Sequence, residues 1–129
     1  MLFSYIVGNG DLRLKNLSIV EQSEGTFALS RAYVLVSTGI YGDRELALPV
    51  QGKKTNVTRR NWLTFAEEHA SIPRADAIEL PDEVLTYLAG ARGMIEESMV
   101  LDEHLRTQYL VLVNQRLAAL TPSRSDAEE

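Results

Sequence analysis

The clearest structural pattern in the sequence lies near its C-terminus, where apolar side chains recur every three or four residues. They are Leu101, Leu105, Tyr109, Leu112, Val113, Leu117 and Leu120. That spacing places them on one stripe of an α-helix. Asp102 and Glu103 lie at the start of this stripe, where negative charge is favourable to the helix dipole. The sequence therefore predicts one long helix that must bury its stripe against the rest of the chain.

Further helices are predicted between residues 58 and 100. Thr58 is a favourable N-cap residue. One helical face after it is marked by Trp62, Phe65, Ala66 and His69. Pro73 can open the next helix at its first turn. We expect Pro81 to interrupt or restart that helix, because a proline in a helix interior costs roughly 3 kcal/mol.

The first part of the chain has a different character. Residues 2–7 are apolar and resemble the end of a helix, and residues 8–11 are turn residues. Residues 17–21 and 26–30 alternate partly in polarity and are separated by a loop that contains Gly25, which predicts a β-hairpin. Residues 34–36 and 45–50 are short apolar runs that favour strands. The expected fold class is α+β and mostly α, and some apolar surface of its front part should need a partner.

The composition narrows the range of functions. The 129 residues carry a formal net charge of −5, so we expect no direct binding of nucleic acid. The chain has no cysteine, which excludes disulfides and thiolate metal sites and is compatible with a cytoplasmic location. No apolar run approaches the roughly 20 residues of a membrane-spanning helix, so we expect no membrane partner.

The ends of the sequence suggest how the domain is organised. Residues 2–7 have no cap and no preceding turn, so we expect Met1 to lie inside a domain rather than at its edge. Residues 121–129 are polar, with Pro122 as a helix breaker, and are expected to form a frayed tail. The prediction is one domain over residues 1–120, incomplete at its N-terminal end, followed by a tail.

Asp11 and Asn16 are the first candidate functional residues. An aspartate five positions before an asparagine is the spacing of the kinase catalytic loop, in which the aspartate accepts the substrate's hydroxyl proton and the asparagine binds magnesium. Taken without further context, an aspartate that follows Gly8-Asn9-Gly10 is more often a turn residue. This spacing is weak evidence when it stands alone.

Four segments, in order, resemble a known family and give that spacing more weight. They are residues 6–19, 32–38, 46–54 and 56–66. In the second, Ala32-Tyr33-Val34-Leu35-Val36-Ser37-Thr38 resembles a family motif of the form Ala-Tyr-Asp-Leu-(Val/Leu)-Ser-Thr. The segments together resemble the C-terminal lobe of HipA-type serine/threonine kinases, which are the toxins of bacterial HipBA toxin–antitoxin modules. The resemblance implies a protein-kinase-like C-terminal lobe with a small β-hairpin near the N-terminus and a C-terminal helical bundle.

The resemblance also implies roles for individual residues. Asp11 falls on the catalytic aspartate, Lys15 on a lysine that helps to neutralise the transferred phosphate, and Asn16 on the metal-binding asparagine. Val34 stands where the family has its magnesium-chelating aspartate. Arg13 replaces a usual histidine and Arg31 a common proline. The family's N-terminal lobe, with the lysine that holds the nucleotide phosphates, has no counterpart in this sequence.

The valine has a direct chemical consequence. Magnesium requires hard oxygen ligands in nearly octahedral geometry, and Val34 offers none. Because metal-based charge neutralisation supplies several kcal/mol in the transition state, its loss should cost orders of magnitude in rate. Phosphoryl transfer also depends on positioning between two lobes, of which this chain can supply one.

Three functional hypotheses follow. The favoured one is a truncated, catalytically inactive HipA-like lobe that acts as a protein-interaction module, binds a HipB-like antitoxin or associates with itself, and needs no cofactor. The second is one subunit of a split kinase that uses ATP and magnesium together with a separate HipA-like N-lobe protein. The third is a non-enzymatic decoy or inhibitor that binds a HipB-like or HipA-like partner.

Four basic residues close together admit two explanations. Lys53, Lys54, Arg59 and Arg60 could contact phosphates. Because the chain is acidic overall, we expect them instead to form an exposed loop and an exposed helix start.

Overall fold

The structure, a computed structural model, describes residues 1–122 and is mostly helical. The helices are α1 Leu2–Ile6, α2 Arg59–Ala70, α3 Arg74–Tyr87, α4 Ala91–Glu96 and α5 Glu103–Leu120, and the strands are β1 Ile19–Ser23 and β2 Thr26–Leu29. Short 3₁₀ turns cover Leu14–Asn16 and Gly39–Tyr41. Of the predicted polar tail, residues 123–129 lie outside the described part. The α+β, mostly α fold with an early hairpin and a helical C-terminal part is confirmed.

The predicted last helix is present as α5, and its stripe enters the core. Asp102 is its N-cap, since the carboxylate accepts a hydrogen bond of 2.8 Å from the backbone N–H of Leu105. Leu112, Val113 and Leu120 are buried. The main core consists of Tyr5, Ile6, Leu46, Val50, Val57, Trp62, Ile95, Val113 and Leu120. The long helix therefore supports both α1 and the loops that follow it.

The predicted N-cap of α2 is also confirmed. The hydroxyl of Thr58 accepts from the backbone N–H of Asn61, and the Asn61 side-chain oxygen accepts from the backbone N–H of Thr58 at 3.1 Å. This reciprocal pair satisfies two donors that the helix start would otherwise leave open. It fixes where the irregular front part ends and the helical part begins.

The helix around Pro81 differs from the prediction, because α3 runs without interruption from Arg74 to Tyr87. The guanidinium of Arg59 bridges the helix across the proline. It donates to the carbonyl oxygen of Ile78 at 2.7 Å and to both carboxylate oxygens of Asp82 at 2.9 and 3.0 Å. These bonds join the helix on both sides of Pro81, and a further bond reaches the carbonyl of Leu120 at 3.1 Å.

The predicted hairpin is confirmed, whereas the two other predicted strands are wrong. In the hairpin, Ile19 lies opposite Leu29, with a turn that contains Gly25. Residues 34–36 form no strand, because Val34 has a φ of 55°, which lies outside the β region. Residues 45–50 contribute only an isolated bridge between Val50 and Lys53. Among residues 1–122, no helix is long and apolar enough to cross a membrane.

The arginine bridge to α3 gives the first prediction. Within residues 1–122, Asp82 supplies the carboxylate that binds the guanidinium of Arg59, which is 5% exposed, and Asp82→Ala removes this carboxylate. We expect the free energy of unfolding to fall by about 2 kcal/mol, because a buried charge loses its ionic partner. Urea denaturation measures this.

The control is Glu67→Gln, which breaks a pair whose arginine, Arg74, is exposed rather than buried. It should cost less than about 1 kcal/mol. Equal losses in the two variants would mean that Arg59 does not depend on Asp82.

Candidate functional site

The loop before Asp11 is fixed by a close contact with α5. The carbonyl oxygen of Gly8 accepts hydrogen bonds from the backbone N–H groups of Thr38 and Gly39, at 2.9 and 3.0 Å. Gly8 has a φ of 77°, and a Cβ there would come within 2.6 Å of Leu112. A Cβ on Gly39 would meet the same leucine at 2.5 Å. Two glycines therefore let two loops lie side by side directly on the helix.

Asn9 then connects the two segments that carry the candidate residues. It is buried, with 1% of its surface exposed. Its amide nitrogen donates to the carbonyl of Val34 at 3.0 Å, and its amide oxygen accepts from the backbone N–H of Asp11 at 3.0 Å. One side chain thus holds the backbones of Asp11 and Val34 next to each other. The sequence flagged Asn9 only as a turn residue.

Tyr33 makes a second connection between the same segments. Its hydroxyl donates to the carbonyl of Lys15 at 3.3 Å and forms a hydrogen bond of 3.1 Å with the Ser18 hydroxyl. The segment 32–38 is thereby attached to the loop and to the base of the hairpin. The structure brings together the two segments that sequence analysis singled out.

The side chains of Asp11 and Asn16 are engaged within the loop itself. A carboxylate oxygen of Asp11 accepts from the Arg13 guanidinium at 3.1 Å. The side-chain oxygen of Asn16 accepts from the backbone N–H of Arg13, also at 3.1 Å. Arg13 therefore contacts one of the two carboxylate oxygens of Asp11 with its side chain and the side-chain oxygen of Asn16 with its backbone N–H.

Val34 stands in a strained backbone conformation. Its φ of 55° lies in the left-handed region, which β-branched residues rarely adopt and which aspartate and asparagine tolerate better. Its side chain carries no oxygen. The residues present, Asp11, Asn16 and Val34, therefore do not fit the octahedral oxygen set that magnesium prefers. Within residues 1–122, no three His, Cys, Asp or Glu side chains cluster closely enough to hold a metal ion.

A cleft of about 640 Å³ opens beside this loop. Its charged lining residues are Arg13, Lys15, Lys54, Asp43 and Glu45. Thr38 connects two of its lining residues, because its hydroxyl donates to the carbonyl of Asp43 at 3.0 Å and accepts from the backbone N–H of Gly10 at 2.9 Å. Sequence reasoning missed Asp43 and Glu45, because nothing in their local sequence indicates that they face the Asp11 loop.

The four basic residues have separate places. Lys54 lines the cleft, whereas the Lys53 ammonium donates to the side-chain oxygen of Asn61 at 3.2 Å. The prediction of an exposed Arg59 is wrong, because its guanidinium is buried among α3 and the end of α5. The four residues do not form one basic patch.

The fold and this cleft define the class of the domain. It is a mostly helical lobe in which a glycine-rich loop, a hairpin and the segment after the hairpin meet at one site. The chain belongs to the HipA-like C-terminal domain family, whose model matches residues 1–91.

A solved structure extends this likeness to the whole chain. It is the complex of HipA, HipB and operator DNA from the toxin–antitoxin system of Shewanella oneidensis MR-1. The similarity has a TM-score of 0.66 at 22% identity and covers 99% of this chain. This chain spans 32% of the length of the matched chain. No curated protein sequence is significantly similar.

Val34 supplies the second prediction. Val34→Asn should relieve the left-handed strain, whereas Val36→Asn should not, although the two valines are similarly exposed at 40% and 43%. Both variants lose comparable apolar burial, so the difference between their unfolding free energies reports the backbone strain at position 34. We expect the Val34 variant to be more stable than the Val36 variant by about 1 kcal/mol.

Thermal or urea unfolding of the two variants measures this difference. Equal stabilities would show that position 34 carries no strain.

Proposed function

We propose that this chain is a HipA-like C-terminal domain that transfers no phosphate and serves, in the cytoplasm, as a protein-interaction module of a toxin–antitoxin system. The observation that carries the interaction role is the uncovered apolar face of the hairpin. The oxygen-free side chain of Val34 supports the lack of activity.

The hairpin presents one apolar face to solvent. In the observed register, Ile19 lies opposite Leu29 and Glu21 lies opposite Phe27, so these four side chains share a face. Ile19, Phe27 and Leu29 are 71%, 64% and 69% exposed. We name Ile19, Phe27 and Leu29 the hairpin face. A two-stranded hairpin is marginal by itself in water, and exposed apolar surface of this kind marks an interaction site.

The segment after the hairpin enlarges this surface. The side chains of Tyr33, Leu35 and Val36 are also exposed, and the bond from Tyr33 to Ser18 holds their segment at the base of the hairpin. The two groups of exposed apolar residues are thus close in sequence and linked by one side-chain hydrogen bond. A protein partner would cover it more effectively than a charged polymer, since the chain carries a net charge of −5.

The partner we propose is a HipB-like antitoxin protein. The Shewanella complex with the same fold contains HipA together with HipB. A HipA-like N-terminal lobe and a second copy of this chain are the competing partners. Contact with DNA would then come through the antitoxin rather than through this acidic chain.

The split-kinase alternative has one observation in its favour. Asp11, Lys15 and Asn16 are all retained, and Lys15 lines the cleft beside the loop. In that alternative Asp11 would orient the acceptor hydroxyl, and ATP and magnesium would arrive with a separate N-terminal lobe. Val34 argues against it, because one metal-binding oxygen is missing.

Activity provides the third prediction. The wild-type chain, alone or with a HipA-like N-lobe protein, should incorporate no radiolabelled phosphate from ATP above the level of its Asp11→Ala variant. The reason is the missing oxygen ligand, which should lower the rate by orders of magnitude. Incorporation by the wild type that disappears in Asp11→Ala would overturn the inactive role. Phosphate incorporation that appears only when the Val34→Asp variant is combined with the N-lobe protein would indicate that the chain derives from a kinase and lacks its metal-binding side chain.

Partner binding provides the fourth prediction. Phe27→Glu places a charge on the hairpin face, at its pair nearest the turn, and should weaken binding of a purified HipB-like protein at least about tenfold, measured by calorimetry. The matched control is Met99→Glu, because Met99 is 98% exposed and lies before α5, away from the hairpin in sequence. It should bind as the wild type does.

Two results would count against the HipB-like partner. One is no binding at micromolar concentration, and the other is an equal loss in both variants. Phe27-dependent binding of a full HipA-like protein instead would favour the decoy role.

A further inference from the structure

A second cavity, of about 280 Å³, lies between α1, α5 and the loop before α2. Its floor contains the buried residues Tyr5, Leu112 and Arg116, and exposed polar residues surround its opening. Those rim residues are Arg44, Thr55, Asn56, Thr58 and Gln115. The space can hold a small ion with several waters, since a water molecule occupies about 30 Å³ in the liquid. The cavity shares no lining residue with the cleft beside Asp11.

Arg116 is the unusual element of this cavity. It is 8% exposed, and its guanidinium donates to the carbonyl oxygens of Tyr5 and of Arg44, the latter at 2.7 Å. The guanidinium carbon also lies 4.6 Å from the centre of the Tyr5 ring. These partners are neutral dipoles and a π face, so they solvate the charge without neutralising it.

The charge balance of the cavity is one-sided. None of its lining residues is acidic, although the chain contains 18 aspartates and glutamates. Burial lowers the pKa of the Arg116 guanidinium; Tyr5 opposes this shift, and the positive charge of Arg44 adds to it. Two guanidinium groups therefore influence each other at a site whose described walls contain no carboxylate.

Arg59 shows how the same protein treats another buried arginine. At 5% exposed it forms a two-point bond with the Asp82 carboxylate. Buried charges in proteins are ordinarily paired in this way, because an unpaired charge is costly to remove from water. Arg116 is buried to a similar degree, and among residues 1–122 the partners of its guanidinium include no carboxylate.

We propose that this cavity binds a small tetrahedral oxyanion of the phosphate type between Arg116 and Arg44. The guanidinium uses two of its five N–H groups on the carbonyls of Tyr5 and Arg44, and its remaining N–H groups would bind oxygens of such an ion. The side chains of Thr55, Asn56 and Gln115 on the rim supply neutral donors for the remaining oxygens. The anion would provide the counter-charge that the walls lack, and it would join α5 to the loop before α2. This proposal is independent of the proposed function.

The fifth prediction tests this site with inorganic phosphate. In an NMR titration of the full chain at constant ionic strength, the Arg116 Nε–H and the amides of Thr55 and Asn56 should shift together and saturate. Arg44→Gln should raise the dissociation constant about tenfold, the change expected for loss of one charge-assisted hydrogen bond. Arg116→Met should abolish saturation. Acetate, which has a planar carboxylate, should bind more weakly than phosphate.

The matched control is Arg92→Gln, which removes an exposed arginine from α4 and should leave the phosphate dissociation constant unchanged. If Arg116→Met does not fold, the comparison of Arg44→Gln with Arg92→Gln decides alone, because Arg44 is exposed. Equal affinity in those two variants, tighter binding of acetate, or shifts centred outside the cavity would overturn the proposal.

Discussion

The contact of Gly8 and Gly39 with Leu112 is the constraint on which the rest of the front part depends. A Cβ at either glycine would come within 2.6 or 2.5 Å of the Leu112 Cδ2 atom, so this side chain would have to move away from the loops to admit one. In this packing, the carbonyl oxygen of Gly8 accepts hydrogen bonds from the backbone N–H groups of Thr38 and Gly39. Everything that surrounds the candidate site, including Asn9 and the cleft, is positioned by this arrangement.

Scaffold and chemistry can therefore be separated in this domain. The hydrogen bonds of Asn9 are made to backbone groups of Asp11 and Val34, and they do not depend on what those two side chains are. A valine can therefore stand at position 34 without undoing the loop, at a cost of about 1–3 kcal/mol in backbone strain. This explains how the architecture of a site can persist while the chain lacks an oxygen that the proposed ancestral reaction needs.

The elements predicted correctly from sequence are those that short-range patterns specify. The stripe of α5, the Thr58 cap and the hairpin around Gly25 each depend on residues within a few positions of one another. The errors arose where a distant residue decides. Arg59, distant in sequence, bonds α3 on both sides of Pro81, and Asn9, 25 positions away, bonds the carbonyl of Val34 where a strand was expected. For the candidate site, the meeting of residues 11–16 with 32–38 came from the family resemblance, whereas the catalytic and metal-binding roles of Asp11, Lys15 and Asn16 stay predictions.

The two buried arginines show the limit of local sequence most directly. Arg59 follows an N-cap, and Arg116 lies on the last helix. Neither position in the sequence indicates whether the buried guanidinium is paired with a carboxylate. The difference comes from Asp82, which packs against the first and has no equivalent among the described lining residues of the second. An unpaired buried charge is costly. The burial of Arg116 is therefore less favourable than that of Arg59 unless an anion from solution pairs with its guanidinium. The stability of α5 against the loop before α2 should then depend on the anion present, whereas the arginine bridge to α3 should not.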